Sequence, residues 1–209
     1  MSGLFLILLI LGIFYLLYAA LRQSYQLNYI ENFSFHPALK QKLKNKHPAL
    51  SDAQMDLVFQ GLRDYFYICN KAKRRMVSMP SQVVDDAWHE FILFTRNYQL
   101  FCQKALGRFL HHTPAEAMRT PTLAQDGIKR AWRLACRKEH INPKTPVRLP
   151  LLFAIDARLS IADGKFYSLD CRAAQDNSYC AGHIACGGGC SGGDGCGGDG
   201  GCAGGCGGD

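Results

Sequence analysis

Four side chains near the middle of the chain have types and spacing suited to chemistry: Asp85, His89, His111 and His112. They lie in or just after one stretch, Val83 to Pro114, VVDDAWHEFILFTRNYQLFCQKALGRFLHHTP. Asp85 and His89 are four residues apart, so on a helix both project from one face. A carboxylate at that spacing fixes the tautomer and orientation of an imidazole. If the chain folds back after Gly107, one of His111 and His112 completes a mixed nitrogen and oxygen ligand set for a divalent metal. The same residues have a use without metal. An Asp–His hydrogen bond pins two helices together, and His112 can cap the helix that follows.

Several enzyme classes are excluded. His89-Glu90 begins like a zinc-protease motif, but that motif needs a second His at position 93, where the chain has Leu93. No nucleophile elbow, Walker loop or dinucleotide fingerprint occurs.

A second group of potential ligands sits at the C-terminus: Cys180, His183, Cys186, Cys190, Cys196, Cys202 and Cys206. From Cys180 onward the chain has 15 Gly and six Cys, too few apolar side chains for a core, so a flexible tail is expected. The gaps between successive Cys are five, three, five, five and three residues, unlike the two-residue gap of zinc ribbons. Thiolates on such a chain suit a soft metal, Zn(II) or Cu(I). The repeats also resemble the heterocyclised segments of microcin-type peptides, although such precursors do not usually carry an anchor and a folded domain.

The central motif carries a resemblance. Val84-Asp85-x-x-Trp88-His89, Thr95-x-x-Tyr98-x-x-x-Cys102 and Gly107-Arg108-x-x-His111-His112-x-Pro114 resemble the glycine-rich domain-containing protein family of plants and bacteria. Leu152 to Asp156 followed by a Gly-rich tail is similar too. The resemblance spans roughly residues 50–170 and implies a helical domain without a defined activity. Plant members commonly carry His-x-His after the Trp; Phe91 stands at that second position here, which removes one possible ligand.

These residues need elements to hold them. Ser51 and Gln54 form a capping box, with Leu50 and Met55 as a hydrophobic staple, ahead of the stripe Met55, Val58, Phe59, Leu62, Phe66 and Cys69. Lys71, Lys73, Arg74 and Arg75 follow, suiting that helix's C-terminal dipole. Ser81 is the expected cap of one central helix whose stripe is Val84, Trp88, Phe91, Thr95, Tyr98 and Cys102, ending at Gly107. Thr113 to Glu116 reads as another capping box, followed by a helix from about Pro121 to Glu139. Pro150 opens a short buried helix, and Asp163-Gly164 suggests a small hairpin. Pro37 to Lys46 reads as a short basic helix flanked by His36 and His47 as turn residues.

Ahead of all this, Gly3 to Leu21 is 19 residues without a charge. At about 1.5 Å per residue it nearly spans a hydrocarbon core of about 30 Å. No Lys or Arg precedes it and no small-x-small site closes it, which favours a retained anchor over a cleaved signal peptide. Arg22 and the lysines at 40, 42, 44 and 46 follow it, so the positive-inside bias predicts a cytoplasmic soluble part. A reducing compartment then favours thiols or metal ligation over disulfides.

The expected architecture is mainly α: a transmembrane anchor over 1–22, a helical domain over 31–170 and a flexible tail over 171–209. The formal net charge is +7, and past Arg172 there is no Lys or Arg but four Asp, so the middle is the more basic part. No nucleic-acid-binding signature accompanies that charge, and no specific nucleic acid is expected. The expected function is a membrane-anchored binding or scaffold protein with a metal- or thiol-binding tail and an unknown protein partner. The alternative is a metal-dependent enzyme built on Asp85, His89 and the His pair.

Overall fold

A computed structural model describes residues 2–112, 121–169, 178–180 and 184. Seven helices dominate them: α1 (Ser2–Glu31), α2 (Pro37–Lys46), α3 (Asp52–Ala72), α4 (Gln82–Leu93), α5 (Thr95–Leu106), α6 (Pro121–Lys138) and α7 (Leu151–Arg158). Two three-residue strands, β1 (Phe166–Ser168) and β2 (Ser178–Cys180), complete the set.

α3 is the central helix, and α1, α2, α4, α5, α6 and α7 all pack on it. Its start has the full capping box: Ser51 accepts from the Gln54 backbone and Gln54 accepts from the Ser51 N–H. All six residues of its apolar stripe are buried. Gly61 brings α4 close: a Cβ there would lie 2.9 Å from Val84 Cγ2. Around α3 the aromatic rings interlock, with Phe101 centred 4.6 Å from both Phe33 and Phe66, and Trp88 centred 5.0 Å from Tyr65.

α1 is long and apolar enough to cross a membrane. Its apolar side chains from Leu4 to Leu17 are exposed, but the helix does not end with the apolar run. It continues into the helical domain, where Ile30 is buried and Gln26 Oε1 accepts from Asn70 Nδ2 at 3.1 Å. The apolar stretch and the domain thus share one helix.

Three local expectations are corrected. The central helix is two helices, broken at Phe94 (φ −81°, ψ 55°), whose N–H donates to Phe91 O. Thr95 consequently starts α5 and is exposed rather than facing the core. Neither Gly nor Pro marks the break. The expected hairpin does not form: β1 pairs in parallel with β2, Tyr167 opposite Tyr179. Gly164 instead fits a tight approach, where a Cβ would lie 2.8 Å from Asp156 Cβ. The box at Thr113 and the tail fall outside the described residues, apart from β2 and Ile184.

A candidate metal site at the α4–α5 corner

Asp85 and His89 lie one turn apart on α4, with Asp85 Oδ2 3.7 Å from His89 Nδ1. After α5 stops at Gly107 (φ 66°), the chain doubles back and sets His112 Nε2 3.1 Å from Asp85 Oδ1. The two imidazole rings are 4.1 Å apart between centroids. One ligand atom from each of Asp85, His89 and His112 falls within 4.8 Å of the others. Asp85 and His112 are partly buried and His89 is exposed, so the group has a closed side and an open side.

The return of residues 109–112 is held by a relay that single-residue motifs do not reveal. Trp88 Nε1 donates to Tyr98 Oη at 3.1 Å, and Tyr98 Oη donates to Leu110 O. The Trp88 ring also meets the His112 ring edge-on at 4.6 Å. Burial pushes the Tyr98 phenol well above its ordinary range, so it remains the donor this relay needs. The break at Phe94 turns α5 so that Tyr98 comes under Trp88.

α4 is fixed at its start by a buried carboxylate on α7. Asp156 accepts from Ser81 Oγ at 2.6 Å, Gln82 N at 2.7 Å, Val83 N at 3.3 Å and Lys165 N at 2.8 Å. On the far side of α4, buried Asp86 takes Lys46 Nζ at 2.6 Å and His47 Nε2 at 2.8 Å, tying down α2. His47, read as a turn residue, is thus also a bridge. Asp86 carries no motif, and Asp156 stands in the sequence only as the last residue of the Leu152–Asp156 stretch, with no role attached. Their signal in the sequence was only that each sits among apolar residues.

The other candidates are placed differently. His111 lines the same cavity, but its ring packs on Phe109 at 4.8 Å and stands outside the three-residue group. Phe91 is buried among Phe33, Phe66 and Tyr98. Cys180 lies in β2, its backbone paired with Ser168. His183, Cys186, Cys190, Cys196, Cys202 and Cys206 lie outside the described residues. Cys69, Cys102 and Cys136 are buried free thiols, as expected of core cysteines. Burial pushes Cys69 and Cys136 up to about 12, which disfavours the thiolate a metal would need.

The cluster faces a cavity of about 760 Å³ whose wall includes Arg74, Arg75, Arg108 and Lys165. Among the described residues none of these four cations is in an ion pair, and Asp85 is the cavity's only carboxylate. In the sequence Arg74 and Arg75 are only cations suited to a helix C-terminus; their convergence with Arg108 and Lys165 is a tertiary fact.

Residues 25–187 match the model of the UCP032817-like family, so the chain belongs to that family. This corrects the resemblance to the glycine-rich domain-containing family: the glycine-rich tail and the Trp-His motif had suggested it, and the match over the helical domain overturns it. No curated protein matches the chain, and no solved structure does.

Proposed function

We propose that the protein is a membrane-anchored domain that binds a divalent transition metal through Asp85, His89 and His112. The observation that carries this is the convergence of their three ligand atoms within 4.8 Å. In a tetrahedral site with bonds of about 2.1 Å, neighbouring ligand atoms sit about 3.4 Å apart. Each histidine comes near that spacing from one oxygen of the carboxylate, His112 Nε2 at 3.1 Å from Oδ1 and His89 Nδ1 at 3.7 Å from Oδ2. Two imidazoles and a carboxylate suit Zn(II) or Fe(II) better than Cu(I), which prefers thiolate. Three protein ligands would leave room in the coordination sphere for a further ligand, and all three residues line the cavity. That arrangement suits a bound ligand and equally a metal-activated water, so the enzyme reading rests on the same site.

A metal-free reading is favoured by one observation: Asp85 and His112 are already at hydrogen-bond distance, so they can pin the 109–112 segment to α4. Elemental analysis of the full-length protein separates the two. Wild type is expected to hold one equivalent more metal than Asp85→Asn or His89→Ala. Equal metal in all three would overturn the site. Metal that persists in both variants reports the Gly/Cys tail, whose thiols form the second part of this proposal.

α1 serves as the anchor in this reading, with the basic domain on the cytoplasmic side by the positive-inside bias. Labelling of the tail thiols from outside intact cells would reverse that orientation.

A further inference from the structure

The last turns of the apolar stretch border a second cavity, about 410 Å³, between α1 and the C-terminal ends of α3 and α5. Its wall carries Arg22, Lys73, Arg74 and Arg108, and no carboxylate among the described residues. None of these four cations forms an ion pair among the described residues. Asn70 closes part of the floor, donating to Gln26 Oε1 at 3.1 Å and to Ala105 O at 2.8 Å.

Two backbone features hold the cations together. Lys73 caps α3 at φ 58°, an uncommon conformation for a residue with a Cβ, and Arg108 donates to its carbonyl. Gly107 supplies the left-handed turn that ends α5 (φ 66°), and the Arg22 guanidinium reaches it, with Nη2 2.8 Å from where a Cβ would lie. The C-terminal dipole of α3 and the Lys73 carbonyl offset part of the repulsion among these four cations, and an anion in the cleft would offset the rest.

Position says which anion. Arg22 is the first charge after Gly3–Leu21, and Tyr15 and Tyr18 share the wall with it. In a chain anchored by α1, that is the level of the lipid phosphates, where Tyr and Arg side chains commonly settle. Arg74 and Arg108 also line the cavity of the Asp85–His89–His112 cluster, so the two cavities share a wall.

We propose that this cleft binds the phosphate of an anionic phospholipid headgroup, drawn from the bilayer in which α1 is anchored, with Arg22, Lys73, Arg74 and Arg108 as its cationic grip. The inference rests on the anchor reading of α1 and deepens the metal reading by naming the ligand class beside the cluster. It does not need the metal to be present.

The test is calorimetric titration of the full-length protein in a neutral detergent. The probes are dihexanoyl phosphatidic acid, dihexanoyl phosphatidylcholine and inorganic phosphate, each with protein as purified and after chelator treatment. Phosphatidic acid is expected to bind in both preparations, at least tenfold tighter than either other probe. The doubly substituted Arg74→Ala, Arg108→Ala protein should bind it at least tenfold more weakly. Arg22→Gln, at an exposed position, should weaken it about threefold without touching the domain core. Equal binding of phosphatidylcholine, equal binding of inorganic phosphate, or unchanged affinity in the variants would each overturn the proposal. Binding that survives chelation stands even if elemental analysis finds no metal, so the two readings fail separately.

Discussion

Tyr98 is the residue on which the candidate site turns. Its hydroxyl satisfies the buried Trp88 N–H and ties down Leu110, two residues before His112. Tyr98→Phe removes both bonds and leaves the Trp88 N–H without a partner. A buried donor left unsatisfied costs about 1–3 kcal/mol, so the melting temperature should fall clearly. Metal affinity should fall as well, because residues 109–112 would no longer hold His112 against Asp85. A Tyr98→Phe protein as stable as wild type in thermal unfolding would show that this relay does not hold the segment.

At the scale of elements, α4 is held at its first turn by α7 and along its side by α2. Asp156 alone serves one side-chain and three backbone donors. Asp156→Ala strands several of them at once, each worth about 1 kcal/mol or more, and opens a cavity beside Gly164. The expected loss is about 3 kcal/mol or more by chemical denaturation, larger than for Asp85→Asn on the partly exposed side of the same helix. Comparable losses in the two variants would count against Asp156 as the anchor of α4. The order matters functionally, since Asp85 and His89 inherit their placement from that first turn.

At the scale of the molecule, the cysteines divide the chain. Cys69, Cys102 and Cys136 are buried, and burial raises all three thiols above their ordinary range. With Cys69 held at about 12, its thiolate is scarce at pH 8, and unfolding returns it to a range near 8.5 where reaction is fast. Iodoacetamide at pH 8 should therefore spare these three in the native protein and modify them in denaturant, read peptide by peptide by mass spectrometry. Rapid native modification of Cys69 would mean that the core around α3 is open. The charge is divided too. The cations converge on two adjoining cavities at one corner, beside the end of the apolar stretch of α1.

Much of this was legible in the sequence because it is local. The α3 capping box, the apolar stripe from Met55 to Cys69, the Gly107 stop and the extent of α2 depend on residues a few positions apart, and helical periodicity prints them on the chain. So does the Asp85–His89 face. The break at Phe94 was not legible, since no Gly or Pro marks it and packing of α5 against α3 and α4 decides it. The parallel β1–β2 pair was missed because β2 begins ten residues beyond the end of β1, too far along the chain for the turn that suggested a hairpin. His112 could be named a candidate alongside His111, but choosing between them required the Tyr98 relay. The basic cavities required the ends of α3, α5 and α1 to meet. By itself the sequence determined where the chain is helical, the apolar stretch long enough for a membrane and the residue types able to bind metal, because these follow from periodicity and composition. Only the tertiary structure decided which of those residues face one another, because buried hydrogen bonds between elements distant in the chain set the angles at which the helices meet.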